Sequence, residues 1–220
     1  MGKAALEEVV RRAPGVGKAD VEDIVLGCAM PEGEQGLNVA RTIALYAGFP
    51  HTVPAITVNR FCSSGLQAIA YAAERIMLGA ADVMIGGGVE SMSHVPMTGF
   101  KLSPHPDIVD AMPEAYMSMG HTAEEVARRF GVSREDQDRF AVRSHARAAR
   151  AAAAGLFKDE IVPVAARRTS FDPATGKVRT WTETFDADEG IRPDTSLAAD
   201  RKSTRLNSSH IQKSRMPSSA

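Results

Sequence analysis

Apolar and polar positions along the chain switch repeatedly between a helical and a strand period. Residues 4–12 carry Leu6, Val9 and Val10 on one helical face, and Pro14 and Gly15 end that helix. Residues 21–27 (VEDIVLG) read as a short strand. Leu37, Ala40, Ala44 and Ala47 share the next helical face, which Gly48 stops. Residues 53–59 (VPAITVN) form a second strand, with Pro54 tolerable near its start. Residues 63–78 are a helix with an apolar stripe of Leu66, Ile69, Ala70, Ala73 and Met77. Residues 82–88 (DVMIGGG) are a third strand. Helices alternating with short apolar strands predict an α/β architecture with a parallel or mixed sheet.

The pattern changes after Ser91. Residues 91–120 are rich in Met and Pro, with little periodicity, as in an excursion over the surface of a sheet. Thr122-x-x-Glu125 and Ser133-x-x-Asp136 resemble capping boxes, opening helices at about 122–130 and 134–154, the second ending at Gly155. Residues 161–165 and the two stretches flanking 172–177 (DPATGK) read as strands, the latter pair as a hairpin. The end of the chain, RKSTRLNSSHIQKSRMPSSA, holds six Ser and no acidic residue. It reads as a natural basic tail or as foreign read-through from adaptor or vector DNA, and in either case as disordered and outside the core. Three segments follow: residues 1–90 as an α/β unit, 91–199 as an insertion with the start of the return to the core, and 200–220 as the tail.

Composition narrows the function classes. A length of 220 residues with 44% hydrophobic content fits a globular chain with a real core. The net charge of -1 argues against a nucleic-acid partner. That average hides an asymmetry. Five of the 26 basic residues lie in the last twenty positions, which leaves 21 against 27 acidic ones, or -6, for residues 1–200. Two cysteines are too few for a disulfide framework, and no apolar run approaches the roughly 20 residues that span a bilayer. With no signal-peptide core near the start, a cytoplasmic enzyme is expected.

The candidate chemistry centres on VNRFCSSG, residues 58–65. A strand delivers the chain to Cys62 and a helix begins directly after it. Such a turn aims a side chain out beyond the end of a sheet, near unpaired backbone N–H groups and the positive end of the helix. A cysteine in that setting can act as a nucleophile and carry an acyl group as a thioester. Ser63, Ser64 and Gly65 leave room for a substrate. The same turn is also compatible with a small apolar residue at a tight bend. Cys28 follows a strand, precedes no obvious helix and has no basic neighbours, which favours the apolar role there. The run Gly86-Gly87-Gly88 lacks the spacing of a dinucleotide fingerprint, and Gly176-Lys177 lacks the upstream Gly of a phosphate loop.

Three ordered blocks resemble the thiolase family: NRFCSSGLQAIAYAAERIMLGAADVMIGGGVESMSHVP, then residues 117–145 (MSMGHTAEEVARRFGVSREDQDRFAVRSH), then 188–195 (DEGIRPDT). Similarity runs from about residue 4 to 199. The form of the second block is most similar to degradative 3-ketoacyl-CoA thiolases (acetyl-CoA C-acyltransferases) of fatty acid β-oxidation. The resemblance implies a layered thiolase-like α/β fold, of which the chain carries the first half without its first strand. A half is of mixed five-stranded sheet type with covering helices, and the inserted loop domain is largely present. It implies that Cys62 attacks the 3-keto carbon of an acyl-CoA, with CoA and acyl-CoA as substrates and no metal or prosthetic group. It places Met119 beside the pantetheine arm of CoA, and implies a homodimer or homotetramer for a full-length protein.

Other features depart from the family pattern. Ser118 stands where biosynthetic relatives carry His. The family's base lies in a GHPxG-type motif of the C-terminal half, together with a second, acid/base cysteine, and neither motif occurs here. His51, His94, His105, His121, His145 and His210 sit in no such motif, and His121 lies inside a helix-start signature that favours a capping or surface role. The expectation is a truncated chain that is inactive alone. Two other readings stay open: a biosynthetic acetoacetyl-CoA thiolase or ketosynthase-type relative, and a non-catalytic fragment that binds acyl-CoA or a partner.

Overall fold

The computed structural model describes residues 1–197. The basic tail expected at 200–220 lies outside the described residues. Contacts divide the chain into two compact units: Met1–Leu102 with Val162–Thr184, and Ser103–Ile161 with residues 185–197.

In the first unit, α1 (Gly2–Arg11) leads to β1 (Asp23–Gly27), α2 (Val39–Tyr46), β2 (Ala55–Val58), α3 (Ser64–Met77) and β3 (Met84–Gly88). The strands form one parallel sheet in the order β2-β1-β3. β1 is central and buried along most of its length, so its sequence (DIVLG) is nearly all apolar instead of alternating. Ile24 and Leu26 point to one face of the sheet. There they pack with Leu6 of α1, with Ala40, Ala44 and Ala47 at α2, and with Val21, Phe49 and Val53. Burial of each such Ile or Leu contributes about 1.5–3 kcal/mol.

α3 covers the opposite face, and here the structure corrects the expected packing. The helix buries Ser64, Ala68 and Ala72. The large apolar residues read as its core stripe face outward, with Leu66 71%, Ile69 53% and Met77 85% exposed. The sheet dictates this choice, because it meets α3 through glycines. A Cβ on Gly27 would run into the backbone of Ser64 and lie 2.5 Å from Gly65 N, and one on Gly86 would lie 2.9 Å from Cα of Ile69. Only small residues fit between backbones that close.

The first unit also holds the expected hairpin, β4 (Val164–Asp172) and β5 (Lys177–Phe185), as a two-stranded sheet. Asp172 accepts from Ala174 N–H and from the Thr175 hydroxyl, and Gly176 takes a φ of 66° that favours glycine. The chain thus has five strands among the described residues, three in the parallel sheet and two in the hairpin.

In the second unit, α4 (Pro106–Ala111) occupies a stretch expected to be irregular, followed by α5 (Met119–Phe130) and α6 (Arg134–Ala153). The start of α5 differs from expectation. Its N-cap is Ser118, whose hydroxyl accepts from His121 N–H, and Thr122 lies one turn inside, donating to Ser118 C=O. The α6 cap is as expected: Ser133 Oγ accepts from Asp136 N–H at 3.1 Å and donates to the Asp136 carboxylate at 2.6 Å. Among the described residues no helix is long and apolar enough to cross a membrane.

Candidate active site

The C-terminal ends of the three parallel strands lie level, with Gly27 paired to Val58 on one side and to Gly88 on the other. In open α/β sheets, ligands bind beyond these ends. The chain leaves β2 at Val58, makes one 3-10 turn at Phe61–Ser63 and enters α3 at Ser64. Cys62 occupies that turn and is exposed. Its backbone thus lies at the start of a 14-residue helix, where N–H groups lack intrahelical partners and the helix dipole is positive. This is the setting the sequence implied.

Sequence reasoning missed how the turn is made. Phe61, one residue before Cys62, adopts a φ of 46°, in the left-handed region that a bulky side chain seldom enters. Asn59 Oδ1 accepts from Phe61 N–H at 2.8 Å, while Asn59 Nδ2 donates to Ala29 C=O at 2.9 Å. Ser64, buried, donates from Oγ to Phe61 C=O at 2.6 Å and accepts there from Arg60 N–H at 2.8 Å. Asn accepting from the N–H two residues on is a common local turn, so the Asn59 contact had a signal in the sequence. The positive φ of a Phe had none.

A second set of polar bonds ties the loops after β1 and β3 together. The Glu90 carboxylate accepts from Ala29 N–H at 2.6 Å, from Met30 N–H at 3.3 Å and from the Gln35 side-chain amide. Buried Gln35 also donates to Met30 C=O and accepts from Ser91 N–H. Glu90 is thus held as a structural acceptor. Cys28 lies beside it, 1% exposed, with Sγ 3.9 Å from Glu90 Oε1. Burial pushes its thiol above the ordinary cysteine range, and the Glu90 charge adds to this. The two cysteines therefore differ: Cys28 is sealed and held protonated, and Cys62 is open.

Met119, the other expected site residue, belongs to the second unit, at the first turn of α5, and is 64% exposed. An open hollow of about 500 Å³ in that unit is lined by Pro113, Tyr116, Met117, His121 and three glutamates. His121 Nδ1 lies 2.8 Å from Ser118 Oγ, the capping neighbourhood its sequence position implied. His145 meets Arg192 N–H through Nδ1 at 3.2 Å, and His94 and His105 lie 3.9 Å from Glu34 and Asp107. Within the first unit, neither His51 nor His94 hydrogen-bonds to Cys62.

The model of the thiolase N-terminal domain matches residues 1–203. The chain is 56% identical over 196 residues to the 3-ketoacyl-CoA thiolase of Bacillus subtilis (strain 168), a match covering 89% of this chain and 50% of that protein. It is 43% identical over 194 residues to the 3-ketoacyl-CoA thiolase of Serratia proteamaculans (strain 568), covering 88% of this chain and 48% of that one. The crystal structure of the Bacillus anthracis acetyl-CoA acetyltransferase is similar in fold, with a TM-score of 0.70 and 33% identity over 90% of this chain and 51% of that chain. The chain spans about half the length of the curated relatives it matches.

Proposed function

The chain belongs to the thiolase family, and from that premise we propose that Cys62 is the acyl-carrying nucleophile of a 3-ketoacyl-CoA thiolase. The observation that carries the proposal is an exposed cysteine on a strained strand-to-helix turn, at the level ends of a parallel sheet, inside the matched domain. The Cys62 thiolate attacks the 3-keto carbon of a 3-ketoacyl-CoA. The bond between carbons 2 and 3 breaks, and its electron pair leaves with acetyl-CoA as an enolate, which takes up a proton. The thiol of a second CoA then attacks the Cys62 thioester, releasing the shortened acyl-CoA and returning the thiolate. CoA and acyl-CoA are the reactants and no prosthetic group takes part. Met119 lies beside the pantetheine arm, the assembled protein is a homodimer or homotetramer, and its role is fatty acid β-oxidation in the cytoplasm.

The family supports the 3-ketoacyl-CoA reading over a ketosynthase, because the curated relatives at 56% and 43% identity carry the former name. Residues 1–220 alone are proposed to acylate without turning over. Oxyanion and enolate both need stabilising, losing one donor costs roughly 10²–10³ in rate, and within the first unit neither His51 nor His94 hydrogen-bonds to Cys62. The test is mass spectrometry of the purified chain after incubation with acetoacetyl-CoA. One acetyl group on the Cys62 peptide, absent in Cys62→Ala and suppressed by prior iodoacetamide, supports the proposal. Acetylation of Cys28 to the same extent, or of neither cysteine, refutes it. Continuous CoA-dependent cleavage by this chain would refute the single-turnover part.

A further inference from the structure

Phe61 poses a question of cause. A non-glycine residue in the left-handed region persists only when its surroundings over-determine it. Burial does not hold Phe61 there, since the residue is 65% exposed. Both of its peptide groups are held instead: Asn59 takes its N–H and Ser64 takes its C=O. Neither side chain is needed for an ordinary helix start. The N-cap of α3 is Ser63, which makes no side-chain cap bond, and Ser64 reaches backward out of the helix. Each of the two is also anchored elsewhere, Asn59 on Ala29 C=O beyond β1, and Ser64 by its position on the glycine floor beside Gly27.

We propose that Asn59 and Ser64 are positioning residues that clamp Phe61 in the left-handed conformation and thereby fix the direction in which Cys62 leaves the sheet. The clamp works by difference. If Phe61 relaxed to negative φ, the peptide joining it to Cys62 would swing, and the sulfur would move away from the start of α3. The inference builds on the reading of Cys62 as nucleophile and adds the device that aims it. The clamp matters only because residue 61 has a Cβ. With glycine there, the left-handed conformation needs no support.

The test is a double-mutant cycle of the parent chain, Ser64→Ala, Phe61→Gly and the double variant, repeated with Asn59→Ala. The readout is the rate of iodoacetamide alkylation at Cys62, with buried Cys28 as internal monitor of general unfolding. Ser64→Ala is expected to slow Cys62 alkylation roughly tenfold in the parent background and far less in the Phe61→Gly background, as coupled neighbours do. Cys28 should stay slow in all four. Equal slowing in both backgrounds overturns the clamp. If Ser64→Ala opens Cys28, the Asn59→Ala cycle decides by the same criterion. Should the parent Cys62 react no faster than a small free thiol, the nucleophile reading falls, and urea midpoints of the same variants judge the clamp alone: additive shifts overturn it, and a shift at least halved by Phe61→Gly upholds it.

Discussion

Replacing Gly27 by Ala probes the joint on which the candidate site rests. The new methyl would run into the carbonyl carbon of Ser64 and lie 2.5 Å from Gly65 N and 2.6 Å from Ser64 O. Ordinary contact begins near 3.4 Å, so the first turn of α3 must retreat by about 1 Å. All three neighbours are backbone, so no side-chain rotamer can relieve the clash. Overpacking of this kind costs about 1–3 kcal/mol. Two smaller effects oppose it: burying the methyl gains about 0.8 kcal/mol, and the stiffer unfolded chain gains about 0.4–1 kcal/mol. Because the contacts are with backbone, the upper end of the cost applies, leaving a net loss of about 1–2 kcal/mol. The control is Gly87→Ala on β3, where the nearest heavy atom is the end of the Leu26 side chain at 3.5 Å. It should be neutral to slightly stabilising. Urea unfolding followed by circular dichroism gives the stabilities, and iodoacetamide gives the reactivity of Cys62. Gly27→Ala should lower both and Gly87→Ala neither. Equal behaviour of the two variants would refute the view that the glycine floor seats the start of α3 and, through it, Cys62.

Three further outcomes follow from other contacts. Glu22 holds its carboxyl below the ordinary value of 4.5, chiefly by accepting from Asp82 N–H and then from Val83 N–H, with burial opposing. Its contribution is therefore present above about pH 4.5 and lost as pH falls through the depressed folded value, so the stability gap between the parent and Glu22→Gln should close on acidification; a gap independent of pH from 7 to 3 counts against it. Ser118→Ala should cost about 1 kcal/mol through loss of the α5 cap and Thr122→Ala clearly less, measured by hydrogen exchange in the first turn of α5; the reverse order would restore the cap to Thr122. The outward stripe of α3 should make the chain self-associate and bind an apolar dye, and Leu66→Lys with Met77→Lys should reduce both without lowering Tm. A monodisperse parent in size-exclusion chromatography, with no dye binding, would contradict this.

The order of elements through Gly88 was legible because period and punctuation agreed at every step. The helix read as 63–78 is Ser64–Met77, and the strand read as 53–59 is Ala55–Val58. Which face of α3 turns inward was not legible in that way. Apolar spacing identifies a stripe but not its partner, and here the sheet selects Ser64, Ala68 and Ala72 because Gly27 and Gly86 bring two backbones together. The clue was in the sequence after all: a strand rich in glycine needs a helix face of small residues, and such a face runs beside the large one. The start of α5 failed for a related reason. Ser118-x-x-His121 and Thr122-x-x-Glu125 follow directly on one another, about one turn apart, and the rule that favours Glu at the fourth position chose the later. The chain arrives at Ser118 extended, with Met117 at φ -62° and ψ 131°, so the earlier oxygen reaches a free N–H first.

Cys62 shows where local signals end. Its place between a strand and a helix could be read from eight residues. Its separation from Cys28 in chemistry depends on contacts across some sixty positions, such as Glu90 with Cys28, that no local pattern encodes. The conformation of Phe61 depends on two side chains that each looked like ordinary loop or helix-start residues. In a site of this kind the reactive atom is the most visible part of the sequence, and the atoms that aim it are the least visible. They are ordinary in type, and they act by holding a neighbour where its own preference would not leave it.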